Sequence, residues 1–421
     1  MADLSWFVGA GLGLFVHWDH ASQQGIEISW PLVGRSIVYP GDTPDEVSVG
    51  KYHSTATTFN PHRWDATAIA RLARSCGARY VVFTTRHHSG YSMFHTKASD
   101  FSVEHSKYGS DITRQLIEAV RADGLRVGLY YSLSDWHHPD YPKFTESYKP
   151  YLFEQYPRPS PERWARYLDY VRTQLSELLT NYGPIDLVWF DGQWERTAEE
   201  WHAAELRELV ASLQPQAIVN DRLPGQGDYD TPEQFLPTAP PSRPWELCLT
   251  MNDSWGWRPS DTNYKSPRDL VHWFTDAVSR GGNLLLNISP KDDGTLPDVQ
   301  VSHLRDLGAW IATHGEAVIG AHPAPTSVDY YGPTTVRGNR LYLHLVAQPV
   351  ENVVVRGIPV RRVRRVCLLG ADEPLRYRLP LSAYDDHLPG FDVLGELTID
   401  APGPSGALLD VISIEFDGPL E

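Results

Sequence analysis

Short apolar runs recur along the first three quarters of the chain, and an amphipathic stretch separates most neighbouring pairs. The runs are 12–17 (LGLFVH), 80–85 (YVVFTT), 127–132 (VGLYYS), 185–191 (IDLVWFD), 217–220 (AIVN), 246–251 (ELCLTM) and 283–288 (NLLLNI). Segments 64–76, 111–122, 162–182, 198–213, 266–280 and 298–313 carry apolar residues at helical spacing. Gly77, Gly124 and Gly183-Pro184 stop three of these helices, and Ser266-Pro267 reads as an N-cap followed by proline at the first helical position. Continuous apolar strands interleaved with helices predict a parallel sheet covered on its outside. Seven or eight such units in about 320 residues fit a (β/α)8-like barrel, with a doubly wound open sheet as the alternative. No glycine-rich fingerprint follows the first strand, so a dinucleotide cofactor is not expected.

The texture changes near residue 325. Helical periodicity stops and short β-rich runs follow at 341–346, 353–355, 363–369, 397–399 and 411–416, punctuated by Gly and Pro. The expected organisation is an α/β catalytic domain over 1–324 and a C-terminal antiparallel β-sandwich over 325–421. Segment 214–245 is Pro-rich with few apolar runs and reads as a long, functional loop.

Composition narrows the partners. The chain of 421 residues has a formal net charge of -16, which opposes nucleic-acid binding. Its 14 Trp and 21 Tyr suit sugar rings and cores alike. Cys76, Cys248 and Cys367 are widely spaced and odd in number, and read as buried thiols rather than a disulfide framework or zinc site. The first residues lack a basic signal-peptide region, and no run of about 18 apolar residues could span a bilayer, so the expectation is a cytoplasmic protein without a membrane partner. Assembly into oligomers is left open.

In a parallel barrel, chemistry collects at the carboxyl ends of the strands. Those ends read His17-Trp18-Asp19, Arg86-His87-His88, Tyr130-Tyr131-Ser132, Asp191, Asn220-Asp221-Arg222 and Asn287. Each alone could be a satisfied loop cap. Together they are harder to dismiss, because an unpaired buried polar group costs about 1–3 kcal/mol. Asp191, framed by Trp189 and Trp194, can serve as nucleophile, base or ligand, and Arg222 can keep it charged. Retaining glycosyl transfer needs a second carboxyl about 5–5.5 Å away. Glu233 and Glu246 are the candidates, with Glu195 and Glu27 behind them. His17, His87, His88, His137 and His138 invite a metal, but their spacings are not those of metal pairs, and neutral imidazoles bonding sugar hydroxyls are favoured.

At this point the residues resemble a known family, the α-L-fucosidases of glycoside hydrolase family 29. The stretches that carry the likeness are GLFVHW (13–18), FNPHRWDATAIARLARSCGARYVVFTTRHHSGYSMF (59–94), GLYYSLSDW (128–136) and VWFDGQW (188–194). VNDR (219–222), WELCLTMNDSWGW (245–257) and GGNLLLNISPKDDGTLP (281–297) complete it. The resemblance implies a (β/α)8-like barrel with a β-sandwich, a retaining mechanism and no cofactor or metal. It maps the nucleophile onto Asp191 and the acid/base onto Glu233, with Glu246 in reserve. Hydroxyl-binding roles fall on His17, His87, His88, Tyr131, Trp189 and Arg222. Two positions depart from the family pattern: Asp19 stands where glycine is usual and Ser89 where aspartate is usual.

The expected reaction is therefore two-step hydrolysis of terminal α-L-fucosides, with a small-molecule or oligosaccharide fucoside as substrate. Trp18, Trp30, Trp255 and Trp257 are candidate walls for the C5 methyl group. The competing readings are a metal-dependent hydrolase, a non-catalytic glycan-binding protein on the same scaffold, and a glycosidase for a related sugar.

Overall fold

A computed structural model of the chain describes residues 2–34, 46–142, 144–150, 158–371, 373–383, 387 and 394–420. Its contacts divide into two compact units. The first comprises Met1–Phe7, Leu12–Tyr264 and Leu285–Leu304; the second comprises Val8–Gly11, Lys265–Leu284 and Arg305–Glu421.

A seven-stranded sheet holds the site: β1 (Leu12–Val16), β2 (Tyr80–Arg86), β3 (Arg126–Ser132), β4 (Leu187–Asp191), β5 (Ile218–Val219), β6 (Trp245–Leu249) and β7 (Gly282–Ile288). Their order is β5-β4-β3-β2-β1-β7-β6, and β1 through β5 pair in parallel. Every residue of β1, β2, β4, β6 and β7 is buried, which is why these strands read as unbroken apolar runs. The edge strands β5 and β6 are linked by part of the Pro-rich segment. Single parallel bridges join Asn220 to Tyr229, Asp230 to Trp245 and Glu233 to Cys248. The sheet thus curls toward closure, and residues 229–233 do the work of a missing strand.

The helices are α1 (Val49–His53), α2 (Ala66–Ser75), α3 (Ile112–Ala122), α4 (Pro161–Asn181), α5 (Ala203–Leu213), α6 (Pro267–Ser279) and α7 (Asp298–His314). Their starts are chemically specified. Asp65 caps α2 through the Ala68 N–H, Asp111 caps α3 through the Arg114 N–H, and Ser266 with Asp269 closes a reciprocal capping box on α6. No helix among the described residues is long and apolar enough to cross a membrane.

The second unit contains two antiparallel sheets. One has the order β13 (Glu373–Pro374), β12 (Val363–Leu368), β16 (Asp410–Phe416), β10 (Arg340–Leu345), β9 (Thr334–Arg337), β8 (His322–Pro323). The other has the order β11 (Asn352–Pro359), β15 (Leu394–Asp400), β14 (Tyr377–Arg378). Alternate residues point inward: Leu341 and Leu343 opposite Ile414 and Ile412, and Val353 and Val355 opposite Ile399 and Leu397. This is the expected sandwich architecture. All three cysteines are free thiols; Cys76 and Cys248 are buried, whereas Cys367 is only partly so.

Candidate active site

Asp191 is the last residue of β4, 7% exposed, at the carboxyl end of the sheet. Glycine must follow it. Gly192 has φ 73, and a Cβ there would stand 2.6 Å from Ser134 Oγ and 2.9 Å from Ser132 Oγ. The carboxylate accepts from Tyr130 Oη at 2.8 Å on Oδ2 and from Arg222 Nη1 at 2.9 Å on Oδ1. The other arm of the same guanidinium, Nη2, donates to Glu233 Oε2 at 2.7 Å. Two carboxylates from different segments are therefore held on one fork. Burial disfavours the Arg222 cation, but Asp191 and Glu233 outweigh that and hold its pKa well above the usual value. Its guanidinium also lies 4.5 Å from the centre of the Trp189 ring.

Three histidines line the same cavity. Burial pulls the His17 pKa down to about 3, and that of His87 and His88 well below the usual range, so all three are neutral at physiological pH. Their tautomers follow from the hydrogen-bond network. Ser132 Oγ donates to Ser134 O at 2.7 Å, so His88 Nδ1, 2.7 Å from that oxygen, carries the proton. Asn287 Nδ2 donates to Trp255 O at 2.8 Å, which leaves Asn287 Oδ1 to accept from His17 Nδ1 at 2.7 Å. In both rings Nε2 is a bare acceptor, ready for a sugar hydroxyl. His87 Nδ1 is 2.7 Å from Ser29 Oγ, which also accepts the Ser89 N–H at 2.7 Å.

Strand alternation would send adjacent histidines to opposite faces. Here β2 ends at Arg86 after a register shift between Thr84 and Arg86, so both imidazoles lie in the following turn, their rings 4.1 Å apart. The two departures from the family pattern meet: Ser89 Oγ donates to Asp19 Oδ2 at 2.8 Å. Burial raises the Asp19 pKa to about 6. The acid gained at 19 is thus bonded to the hydroxyl that replaces the acid lost at 89.

Trp30, Trp189 and Trp255 line the cavity, joined by Phe15, Trp194, Cys248 and Tyr130. Four expectations are corrected. Tyr131 is not in the site. It faces away from the cavity, donating to Gln174 Oε1 at 3.0 Å under the Arg86 guanidinium, while its neighbour Tyr130 takes the inward position opposite Trp189. Glu246 does not line the cavity either. It lies two residues before Cys248 on the same face of β6, and accepts from Tyr80 at 2.5 Å, Trp189 at 2.9 Å and Tyr229 at 3.0 Å. Trp18 packs against Trp64 and Phe59, away from the cavity, and Trp257 does not line it. Of the weaker acids, Glu27 accepts three backbone N–H groups from Ile28, Trp255 and Gly256, and Glu195 accepts from Trp136 and Tyr141. Both staple loops.

Donor atoms of His87, His88 and Asp191 lie within 4.8 Å of one another, which is the one histidine-carboxylate group among the described residues that could hold a metal. The donor set fits a dication poorly. Arg222 puts a fixed positive charge 2.9 Å from the carboxylate that would have to bind it.

Comparisons with known proteins decide the lineage. Residues 2–316 match the family described as Alpha-L-fucosidase. The chain belongs to the α-L-fucosidase family. The α-L-fucosidase isoenzyme 1 from Paenibacillus thiaminolyticus has the same fold, with a TM-score of 0.85 and 31% identity over 98% of each chain. The tissue α-L-fucosidase of Mus musculus is 30% identical over 76% of this chain and 72% of its own length. The Thermotoga maritima α-fucosidase, solved with a mechanism-based inhibitor, superposes with a TM-score of 0.75 at 26% identity, covering 97% of this chain and 96% of its own. Membership in this family agrees with the sequence resemblance and with the barrel-plus-sandwich architecture.

Phe15 and Ser29 were not singled out by the sequence, and Tyr130 was named only as a strand-end residue while the binding role went to Tyr131. Tyr130 had a usable signal, since an inward Trp189 and Asp191 demand an inward partner on β3. The choice between Tyr130 and Tyr131 still required the register Tyr130–Trp189.

Proposed function

We propose that this family member hydrolyses terminal α-L-fucosides by double displacement, with Asp191 as nucleophile and Glu233 as acid/base. The observation that carries the assignment is the single Arg222 fork, whose two nitrogens hold Asp191 at 2.9 Å and Glu233 at 2.7 Å and so bring both acids to one cavity. Asp191 attacks the anomeric carbon as the bond to the leaving oxygen breaks, and Glu233 delivers a proton to that oxygen. Glu233, now a base, takes a proton from water, which attacks the glycosyl-aspartate and frees fucose with its original configuration. Neutral His17, His87 and His88 hold the hydroxyls, and Trp30 and Trp255 offer apolar surface to the C5 methyl. A galactose-type hydroxymethyl would be left there without hydrogen-bond partners. Tyr130 orients the nucleophile. The division into a catalytic 1–324 and an ancillary 325–421 is part of this reading, supported by the change in sequence texture. No step needs a cofactor, and the fixed cation of Arg222 argues against a metal.

Hydrolysis of an aryl α-L-fucoside followed by NMR is the test. α-L-Fucose should appear first and mutarotate later, and the rate should be unaffected by a chelator. First release of the β-anomer would end the retaining mechanism; loss of activity on chelation would revive the metal-dependent alternative.

A further inference from the structure

Phe235 is 62% exposed, the only large hydrophobic of the first unit that is so open among the described residues. A lone exposed aromatic is ordinary in itself. This one is held by strained backbone. Phe235 N–H donates to Glu233 O at 2.7 Å, and the residue between them, Gln234, has φ 62. That combination is the rare γ-turn with a left-handed centre, which a non-glycine residue adopts only when its surroundings enforce it.

The surroundings do enforce it. Gln234 is 3% exposed, and its N–H donates to Cys248 O at 2.9 Å. Its side-chain Oε1 accepts from Thr250 Oγ1 at 3.1 Å and Thr250 N at 3.3 Å. The turn is therefore fastened to β6 and the loop after it. Glu233 lines the cavity, and two residues on, the Phe235 ring is open to solvent.

Resting on the fucosidase reading, we infer that Phe235 is the platform for the leaving group, and that the preferred aglycone is a ring with an apolar face, a pyranose or an aryl group. A general acid must lie within hydrogen-bond reach of the glycosidic oxygen, so the aglycone begins beside Glu233. Two Cα steps of about 3.8 Å, folded back by the turn, keep Phe235 within about 7 Å of Glu233 along the backbone, close enough to meet the first aglycone ring. C–H faces of sugars stack on such rings, and a rigid turn spares the entropy of ordering a loop on binding. The strain at Gln234 is then explained: it couples the position of the acid to that of the surface gripping the group that the acid protonates.

Three substrates separate this inference from the activity itself. α-L-Fucosyl fluoride has almost no aglycone, a nitrophenyl fucoside has a flat one, and a fucosyl disaccharide has a pyranose. Wild-type turnover of the fluoride reports on the fucosidase reading alone, and its absence would overturn both. F235A should lower kcat/KM about tenfold on the disaccharide and the aryl fucoside, chiefly through KM, with F235W close to wild type. Fluoride hydrolysis, inhibition by free fucose and the pH profile should be unchanged in F235A. Equal losses on all three substrates, a shifted pH profile, or undiminished disaccharide turnover would each overturn the platform.

Discussion

Asp191 at the rim and Glu246 one layer deeper are both buried carboxylates flanked by tyrosine and tryptophan, yet their partners differ in kind. Asp191 faces a cavity and shares a guanidinium with Glu233. Glu246 faces no cavity and is bonded by three neutral donors, and burial pushes its pKa up to about 7. Trp189 ties the layers together, since its Nε1 donates down to Glu246 while Arg222 lies over its ring. The contrast teaches that burial and aromatic neighbours do not mark a reactive acid. A fixed cation and open space do. The lower layer is a platform whose polar groups are satisfied among themselves; the upper layer keeps bare acceptors for a ligand.

The contrast can be broken most sharply at the rim. Asp191→Gly should lower kcat on an aryl fucoside on the order of 10⁴-fold, with azide restoring turnover as a fucosyl azide of inverted configuration. Near-normal activity would transfer the nucleophile elsewhere. Glu233→Ala should cost roughly 10²–10⁴-fold on fucosides with poor leaving groups and far less on a dinitrophenyl fucoside. Equal losses on both would deny Glu233 the role of acid.

Neighbouring tyrosines sharpen the comparison in a second direction. Tyr130→Phe removes a donor to a carboxylate and should lower kcat/KM by roughly 10–100-fold. Tyr131→Phe should leave kinetics unchanged and lower stability by about 1 kcal/mol in a denaturant titration. Similar kinetic losses in both would mean that the inward and outward faces of β3 do not divide chemistry from support.

The lower layer is tested by pH, where the effect on catalysis is small. Glu246 titrates near 4.5 when unfolded and about 7 when folded. Between those values the native state holds the extra proton, so stability falls as pH rises from about 4.5 to 7. Asp19, raised to about 6, and Glu27, raised to about 7, act in the same direction, so the difference between two proteins must be measured. Glu246→Gln should remove on the order of 3 kcal/mol of that pH-dependent fall while changing kcat only a few-fold. A large kcat loss at unchanged stability would move Glu246 into the chemistry.

Much of this was legible in advance. Helix starts at Asp65, Asp111 and Ser266 and the fully buried strands follow from local periodicity and capping, which act over a few residues. The polar strand ends marked Asp191, Arg222 and the histidines for the same reason. Tyr131 and Glu246 were misplaced because their chemistry suits the site and only their orientation excludes them. The pairing of Asp19 with Ser89 spans 70 positions and has no local signature.

By itself, the sequence determined the order of strands and helices, the β-rich end and the residue types gathered at the strand tips. These depend on spacing and side-chain chemistry, which are written along the chain. Only tertiary structure decided that Tyr130 rather than Tyr131 turns inward, that Glu246 sits below the cavity, and that Arg222 spans Asp191 and Glu233. Each depends on register between segments far apart in sequence, where a one-residue slip reverses every side chain.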